Sequence, residues 1–367
     1  MIKNYFLLAW RHLLKNRGYS AINIAGLSIG MAIALIIGLW ITDEATFDHY
    51  APDHSRLAMA RVNIHLHNAV KKEEFFTGNT IMMPLGKALS TQYKDLFTAV
   101  ALTDFKSSSR LFNYGDKTVS GIALTAQSDL PAMFGFRMLA GDARATKDPS
   151  TILIASSLAT ALFGNADPVG KNVKVDNLLD YRIGGVYTDL PKNTTFNGLQ
   201  CVLPWDNAAN AYHRDNTNWN DHNGELYVEL APGVTAEQAT ARIKDLTVPF
   251  FKDYHEEGLI YPMDKDYLYN QFEFNKPSGG RITMVWLFGI IGVFVLLLAC
   301  INFMNLSTAR SERRAKEVGI RKTIGSLRSQ LITQFLSESV LLAIIALFFA
   351  LILAQLSLPF FNDLAAK

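Results

Sequence analysis

Apolar residues gather in three long blocks along the chain. The blocks span residues 21–41, 284–304 and 336–358, and each is close to the roughly 20 helical residues that cross a bilayer core. The first block contains no charged residue, and a single Asp, Lys or Arg at its centre would cost about 3 kcal/mol on insertion. The pattern predicts three transmembrane helices, over 21–42, 282–304 and 336–358.

A cleaved signal peptide is the competing interpretation of the first block. The apolar part of a signal peptide is about 7–15 residues long and is followed by a small-x-small cleavage site. Here the block is longer and ends in Trp40-Ile41-Thr42-Asp43. The sequence therefore favours a membrane span.

Residues 2–17 carry apolar side chains at helical spacing, with basic residues between them. This pattern predicts an amphipathic helix on the inner leaflet, with Trp10 at the level of the headgroups. A plain cytoplasmic extension of the first span is the alternative. Gly18 and Ser20 favour a break between the two helices.

The positions of lysine and arginine predict the orientation of the chain. Residues 1–20 contain four basic residues and no acidic residue, and the segment 305–335 is again rich in basic residues. Basic loops remain on the cytoplasmic side of a membrane. Both segments are therefore predicted to be cytoplasmic, whereas 43–281 lies outside and 359–367 forms a short outer stub.

The outer segment 43–281 is predicted to be a folded α+β domain, so the fold class is membrane α-helical with an α+β extracytoplasmic domain. Thr235 is placed to cap a helix, with Gln238 at its third position, and Pro-Ser-Gly-Gly at 277–280 predicts a flexible hinge. The predicted strands are 61–65, 118–124, 151–154, 181–187 and 225–230, and the predicted helices are 80–89, 157–163 and 235–246.

Net charge and cysteine content narrow the class of protein. The net charge of +2 excludes a strongly basic nucleic-acid-binding protein, so no nucleic acid is expected as a partner. Cys201 falls in the outer segment and Cys300 falls in the second apolar block. A disulfide requires the two sulfur atoms to be within bonding distance. This is not expected for one cysteine in the outer segment and one inside a membrane span.

The glycine-rich stretch 164–171 resembles a phosphate-binding loop only superficially. Five residues separate its glycines, and Asn172 follows the lysine. A phosphate-binding loop needs four residues between the glycines and a Ser or Thr after the lysine. A turn after the helix 157–163 is expected instead.

The histidines and acidic residues form no recognisable catalytic or metal motif in the sequence. His49, His54, His65 and His67 have no Cys or close carboxylate at a ligand spacing, which favours surface histidines over a metal site. Neither a Ser-His-Asp elbow nor a paired-carboxylate signature is recognisable. The sequence therefore predicts no catalytic, cofactor or metal residue, and a protein that is not an enzyme.

The segment after the second apolar block is the most informative stretch of the chain. Residues 305–339 read NLSTARSERRAKEVGIRKTIGSLRSQLITQFLSES, with charges of both signs punctuated by Gly319 and Gly325. Two closely spaced short helices are predicted between the spans, a geometry that suits docking of a cytoplasmic partner. Glu338, at the head of the third span, is predicted to be a tolerated interfacial acid and not a functional group.

This stretch resembles the signature of the MacB-like and FtsX-like permeases of ABC systems. The match is carried by EVGIRKTIG at 317–325 and by RHLLKNR at 11–17, before the first span. In the outer segment the resemblance extends to FRMLAGD at 136–142, DPVGK at 167–171 and GVYTDLP at 185–191.

The resemblance implies a bacterial inner-membrane permease with a porter-like part and an inserted part outside. Its energy would come from a separate cytoplasmic ABC ATPase, and the candidate docking residues are Arg314, Glu317, Arg321, Lys322 and Gly325. ATP hydrolysis would move the outer domain for export or efflux. The alternative is an FtsX-like regulator that activates a periplasmic partner such as a cell-wall hydrolase. A second permease copy, a periplasmic adaptor and membrane lipid are the other implied partners.

The chain departs from the pattern of this family at two places. RLAMARV at 56–62 replaces a more usual Arg-Ile-Tyr-Arg-Val, which affects local packing. A fourth span is missing, so the chain is expected to be an N-terminal portion of a longer permease. A two-span sensor is disfavoured, because a third apolar block stands where a cytoplasmic signalling domain would follow.

Overall fold

The computed structural model describes residues 11, 13, 17–66, 74–251, 254–323 and 327–365. Within its helices, the side chains of residues 309–318, 321, 322 and 330 are outside this description. The chain divides into two compact units. A helical unit comprises Met1–Glu44 and Thr283–Lys367, and an outer domain comprises Ala45–Ile282.

The helices and strands are numbered in chain order. The α-helices are α1 (Arg17–Ala45), α2 (Met83–Gln92), α3 (Leu130–Met133), α4 (Ser156–Phe163), α5 (Ala211–Arg214), α6 (Ala236–Ile243), α7 (Met263–Asp266), α8 (Arg281–Thr323) and α9 (Arg328–Ala365). The strands are β1 (Leu57–Leu66), β2 (Glu74–Gly78), β3 (Ile81–Met82), β4 (Phe97–Asp104), β5 (Ser108–Tyr114), β6 (Lys117–Ala126), β7 (Met138–Gly141), β8 (Thr151–Ala155), β9 (Asn172–Val175), β10 (Leu179–Tyr187), β11 (Cys201–Pro204), β12 (His222–Leu230), β13 (His255–Pro262), β14 (Gln271–Glu273) and β15 (Lys276–Gly279).

Helices α1, α8 and α9 contain the three apolar blocks. Each is long and apolar enough to cross a membrane, over Arg17–Ala45, Arg281–Thr308 and Leu331–Ala365. These helices confirm the three predicted membrane spans. Helix α9 continues past Pro359 to Ala365. Proline has no N–H to donate to the carbonyl four residues earlier, and a membrane helix tolerates this where neighbouring groups bond to that carbonyl.

The prediction of two short helices between the second and third spans is wrong. Helix α8 continues without interruption to Thr323, and α9 begins at Arg328. Residues 309–318 are rich in Ala, Arg, Glu and Lys, which favour helix, and the cost of about 1 kcal/mol for Gly319 does not end it. Gly18 and Ser20, where a break was predicted, both lie within α1. The amphipathic helix predicted over 2–17 lies outside the described residues except at positions 11, 13 and 17.

The outer domain contains a closed ring of six strands. Strand β11 pairs in parallel with β6 on one side and antiparallel with β8 on the other, and β8, β10, β9 and β5 continue the ring back to β6. All five residues of β8 are buried, as expected for a strand that is covered on both faces. Phe112, Ile152 and Ile154 form the core of the ring together with apolar residues of α4.

The second part of the outer domain is a sheet in the order β4, β12, β1, β13, with α2 and α6 packed on one face. In β12, Leu226, Val228 and Leu230 face this core, whereas Tyr227 joins a separate apolar cluster with Phe134. This alternation follows the two-residue period of a strand. The capping box of Thr235 and Gln238 at the start of α6 is confirmed.

Other local predictions also agree with the structure. The five predicted strands correspond to β1, β6, β8, β10 and β12, and residues 157–163 and 235–246 are helical, the latter ending in a 3-10 turn. The helix predicted at Thr80 begins at Met83, because Ile81 and Met82 pair with β12 as β3. Gly164, with a φ of +63°, ends α4 in the expected turn. Cys201 and Cys300 are both free.

The predicted hinge at residues 277–280 is wrong. Residues 276–279 form β15 and pair with β14 as a hairpin. Phe274 and Asn275 have φ values of +50° and +59°, as a two-residue type I′ hairpin turn requires. The amide of Ile282 donates to the carbonyl of Leu268 at 3.0 Å, so this stretch is fixed to the outer domain just before α8 continues.

Candidate functional site

The candidate docking residues lie at the end of α8. Arg314, Glu317 and Arg321 occupy positions i, i+3 and i+7 of this helix, and these positions share one helical face. Lys322 lies one position further along, and Gly325 is outside the described residues. The side chains of the four helical candidates are also outside the description. The structure therefore adds only their positions along α8 to the prediction.

Apolar side chains next to these candidates are exposed. Ile320 is 54% exposed and Leu327 is 63% exposed. Exposed apolar groups beside charged ones are typical of surfaces that bind another protein. The spacing of charges in the sequence predicts a docking surface here, and Ile320 and Leu327 were not among the predicted residues.

The three long helices pack through small and polar side chains. A Cβ added to Gly30 of α1 would lie 2.4 Å from the Cβ of Ala299 in α8. The Ser28 hydroxyl of α1 donates to the carbonyl of Ala346 in α9 at 2.9 Å. Close backbone approach and interhelical hydrogen bonds are the usual basis of helix association in a bilayer.

Asn23 and Glu338 are two of the polar side chains that are buried in these helices. Asn23 of α1 is 2% exposed, and neither of its amide atoms has a hydrogen-bond partner among the described residues. Glu338 of α9 is 6% exposed, so the structure buries a residue that the sequence places at an interface. Buried polar groups in membrane helices are costly and commonly functional.

The outer domain contains a polar cavity of about 400 Å³. Three acidic residues, Asp104, Glu225 and Asp266, line it. Asp266 accepts from the Nε of Arg61 at 2.8 Å, and Glu225 accepts from the hydroxyl of Tyr227 at 2.8 Å. Burial raises the pKa of Asp266 although Arg61 partly offsets it, and burial raises the pKa of Glu225 to about 7.

Replacing Glu225 with glutamine is expected to change how stability depends on pH. Because the folded pKa of about 7 lies above the unfolded value of 4.5, the wild type loses stability as pH rises through this interval and the buried carboxyl ionises. Glutamine removes that loss. Between pH 5 and pH 8 the free energy of unfolding of Glu225→Gln should gain about 2 kcal/mol relative to wild type, measured by urea titration at several pH values. Parallel profiles for the two proteins would show that Glu225 is not the titrating group.

A buried carboxylate joins the start of the outer domain to a distant loop. Asp48 accepts hydrogen bonds from the hydroxyl of Thr194 at 2.7 Å, and from the amide and hydroxyl of Thr195 at 2.8 and 2.6 Å. Burial raises the pKa of Asp48, although these hydrogen bonds oppose the rise. Three donors to one carboxylate make this contact a firm attachment of the segment that follows α1.

The chain enters and leaves the outer domain at neighbouring points. The ring of Phe47, two residues after α1, stacks on Tyr267 with centroids 3.5 Å apart. The guanidinium of Arg281, the first residue of α8, lies 4.6 Å from the same Tyr267 ring. The aromatic stack and the cation–π contact hold the two connections together.

Two family models match most of the chain. A model described as the MacB-like periplasmic core domain matches residues 20–246, and one described as the FtsX-like permease C-terminal domain matches residues 289–366. This chain belongs to the MacB-like/FtsX-like ABC transporter permease family. It is a membrane permease with transmembrane helices and a periplasmic domain, and the outer domain described above is that periplasmic domain.

Individual relatives of this permease are distant. A probable export ATP-binding/permease protein of Pseudomonas fluorescens is 23% identical over 354 residues, which cover 94% of this chain and 51% of the relative. The macrolide export ATP-binding/permease protein MacB of Nitrobacter winogradskyi is 27% identical, covering 53% of this chain and 28% of the relative. The permease therefore spans about half or less of the length of these curated relatives.

Solved structures also resemble the periplasmic domain of this permease. A domain of a permease protein from Porphyromonas gingivalis is 22% identical with a TM-score of 0.48, and the match covers 58% of this chain and 92% of that domain. The two family models carry the assignment of the fold and the family.

Proposed function

We propose that this permease couples ATP hydrolysis by a separate cytoplasmic ATPase to movement of the periplasmic domain, for export or efflux. In this proposal residues 1–20 and 305–335 are cytoplasmic, the ATPase docks on the charged end of α8, and a second permease copy completes the transporter. The permease itself hydrolyses nothing. The basic residues that flank the apolar helices support this orientation.

Helix α8 carries the proposal. It runs for 43 residues without interruption from Arg281 to Thr323, a length of about 65 Å at 1.5 Å per residue. Its first residue contacts Tyr267 of the periplasmic domain, and its last turns hold the candidate docking residues. An unbroken helix transmits a displacement at one end to the other better than two short helices joined by a flexible turn would.

Reversing two charges on the docking face tests the proposal. Glu317→Lys combined with Arg321→Glu leaves the net charge unchanged but inverts the pattern that an ATPase would recognise. We expect co-purification of an ABC ATPase with the full-length permease from its native host to fall at least about tenfold, because inverted charges repel where the originals attracted. Quantitative mass spectrometry of the purified complex measures the ratio of ATPase to permease.

Glu312→Lys combined with Lys316→Glu is the matched control. These two residues have the same i, i+4 spacing on α8 and lie on the opposite face of the helix. The control should retain the ATPase at the wild-type ratio. If both double variants retain the ATPase equally, the proposed docking face is contradicted. If both lose it equally, the ATPase does not distinguish one face of α8 from the other, which also contradicts the proposed face.

A further inference from the structure

The periplasmic domain brings two histidines near its start together with an aspartate that is distant in sequence, and all three are potential metal ligands. His49 lies in the turn after α1, His54 begins a short 3-10 helix, and Asp264 lies in α7. One ligand atom from each residue lies within 4.8 Å of those of the other two. We propose that His49, His54 and Asp264 form a zinc site that fastens the two connections of the periplasmic domain to each other.

The distances between the ligand atoms suit a zinc ion. The Nδ1 atom of His54 lies 3.0 Å from Oδ1 of Asp264, and Nε2 of His49 lies 3.4 Å from the same oxygen. Ligands bound at 2.0–2.2 Å around a tetrahedral zinc are about 3.4 Å apart. The ligand atoms of all three residues lie within 4.8 Å of one another, so rotation of the side chains would place one ion in contact with all three.

The ligand types also favour zinc over a hard cation. Two imidazoles are borderline ligands that suit Zn²⁺, and zinc also accepts a carboxylate beside them, whereas Ca²⁺ and Mg²⁺ require mostly oxygen. Three protein ligands leave a fourth position for water. The side chains of His49, His54 and Asp264 are 35%, 32% and 35% exposed, so an ion can reach them from solvent.

Local charges are consistent with binding of a cation. The rings of His49 and His54 stack with centroids 4.1 Å apart, so both rings would turn on binding to point a nitrogen at the same ion, and metal binding requires neutral histidine. Arg56, two residues after His54, pairs with Asp53 at 3.1 Å and with Glu229 at 2.5 Å. Both ion-pair partners described for Asp264 are histidines.

A zinc ion at this position would close a loop of more than 200 residues. His54 and Asp264 are 210 residues apart in sequence, and a cross-link between distant residues restricts the unfolded chain strongly. The site would also add a bond between the segment that follows α1 and the helix that precedes the β14–β15 hairpin. Zinc would thus hold the domain's entry and exit segments together.

Metal binding to the full-length permease, purified without a histidine tag, tests this inference. After treatment with a chelator, titration with Zn²⁺ against a chromophoric competitor should show one ion bound per chain. Co²⁺ used as a probe should give the visible absorption of a tetrahedral site. Zn²⁺ should also raise the apparent melting temperature, because an ion that binds only the folded state stabilises it.

Variants of the ligands distinguish this site from other histidines. His49→Gln and His54→Gln should each lose the stoichiometric Zn²⁺ binding, the Co²⁺ spectrum and the thermal shift. His255→Gln is the matched control, because His255 forms a surface pair with Glu257 at 2.9 Å and belongs to no three-ligand group among the described residues. Binding of less than one ion in the wild type, or undiminished binding in the two ligand variants, would overturn the inference.

Discussion

Replacing Gly141 with alanine is expected to destabilise the periplasmic domain by at least about 3 kcal/mol. Gly141 ends β7 with a φ of +76°, and a Cβ there would lie 2.1 Å from the carbonyl oxygen of Gly184 and 2.5 Å from the Cα of Gly185. An alanine in this conformation costs about 1–2 kcal/mol, and the overlap with backbone adds the cost of displacing β7 from β10. The urea midpoint, followed through the fluorescence of Trp205 and Trp219, should fall accordingly.

Gly170 provides the matched control for this prediction. Its φ is +80°, almost the same as that of Gly141, but a Cβ added there would meet nothing within 4 Å. Gly170→Ala should therefore cost only the conformational part, about 1–2 kcal/mol. If the two alanine variants unfold at the same urea concentration, the close approach of β7 to β10 is not what requires glycine at position 141.

Replacing Gly30 with leucine is expected to disrupt the packing of α1 against α8. Even a Cβ at this position would lie 2.4 Å from the Cβ of Ala299, and the longer side chain of leucine would push the helices apart. Gly26 and Gly30 have the four-residue spacing that permits close approach of membrane helices. We expect the apparent melting temperature of the full-length permease in detergent to fall by about 5 °C or more.

Gly38→Leu makes the same chemical change in the same helix. A Cβ at Gly38 would meet nothing within 4 Å, and leucine is both more apolar and a better helix former than glycine. The melting temperature of this variant should equal or exceed that of the wild type. A similar decrease in both variants would mean that added bulk anywhere on α1 is harmful, and that the contact with Ala299 is not decisive.

Local sequence patterns predicted the regular elements well. An uninterrupted apolar block is sufficient to define a membrane helix, because a bilayer fixes its length. A short strand-like run predicted β12, where Leu226 and Val228 face one core and Tyr227 faces another. Errors occurred where glycine was given too much weight: Gly18 and Gly319 lie inside helices, because their cost of about 1 kcal/mol is small beside that of breaking a long helix.

The clusters of functional interest could not be predicted from the sequence. Asp48 meets Thr195 across 147 residues, and His54 meets Asp264 across 210. Such contacts depend on the complete fold and leave no local spacing to recognise. The candidate docking residues show the opposite case, because Glu317 and Arg321 were predicted from a short family motif, and the structure adds only the helix on which they lie.

The contact of Phe47 with Tyr267 makes the periplasmic domain a self-contained insertion. Its first and last segments are neighbours, so the domain occupies the place of a loop in the polypeptide path between α1 and α8. Domains whose ends lie close together can be exchanged or resized without stretching the chain that carries them. Permeases built on the same helices could therefore acquire different periplasmic domains, and different external partners, by replacement of this one segment.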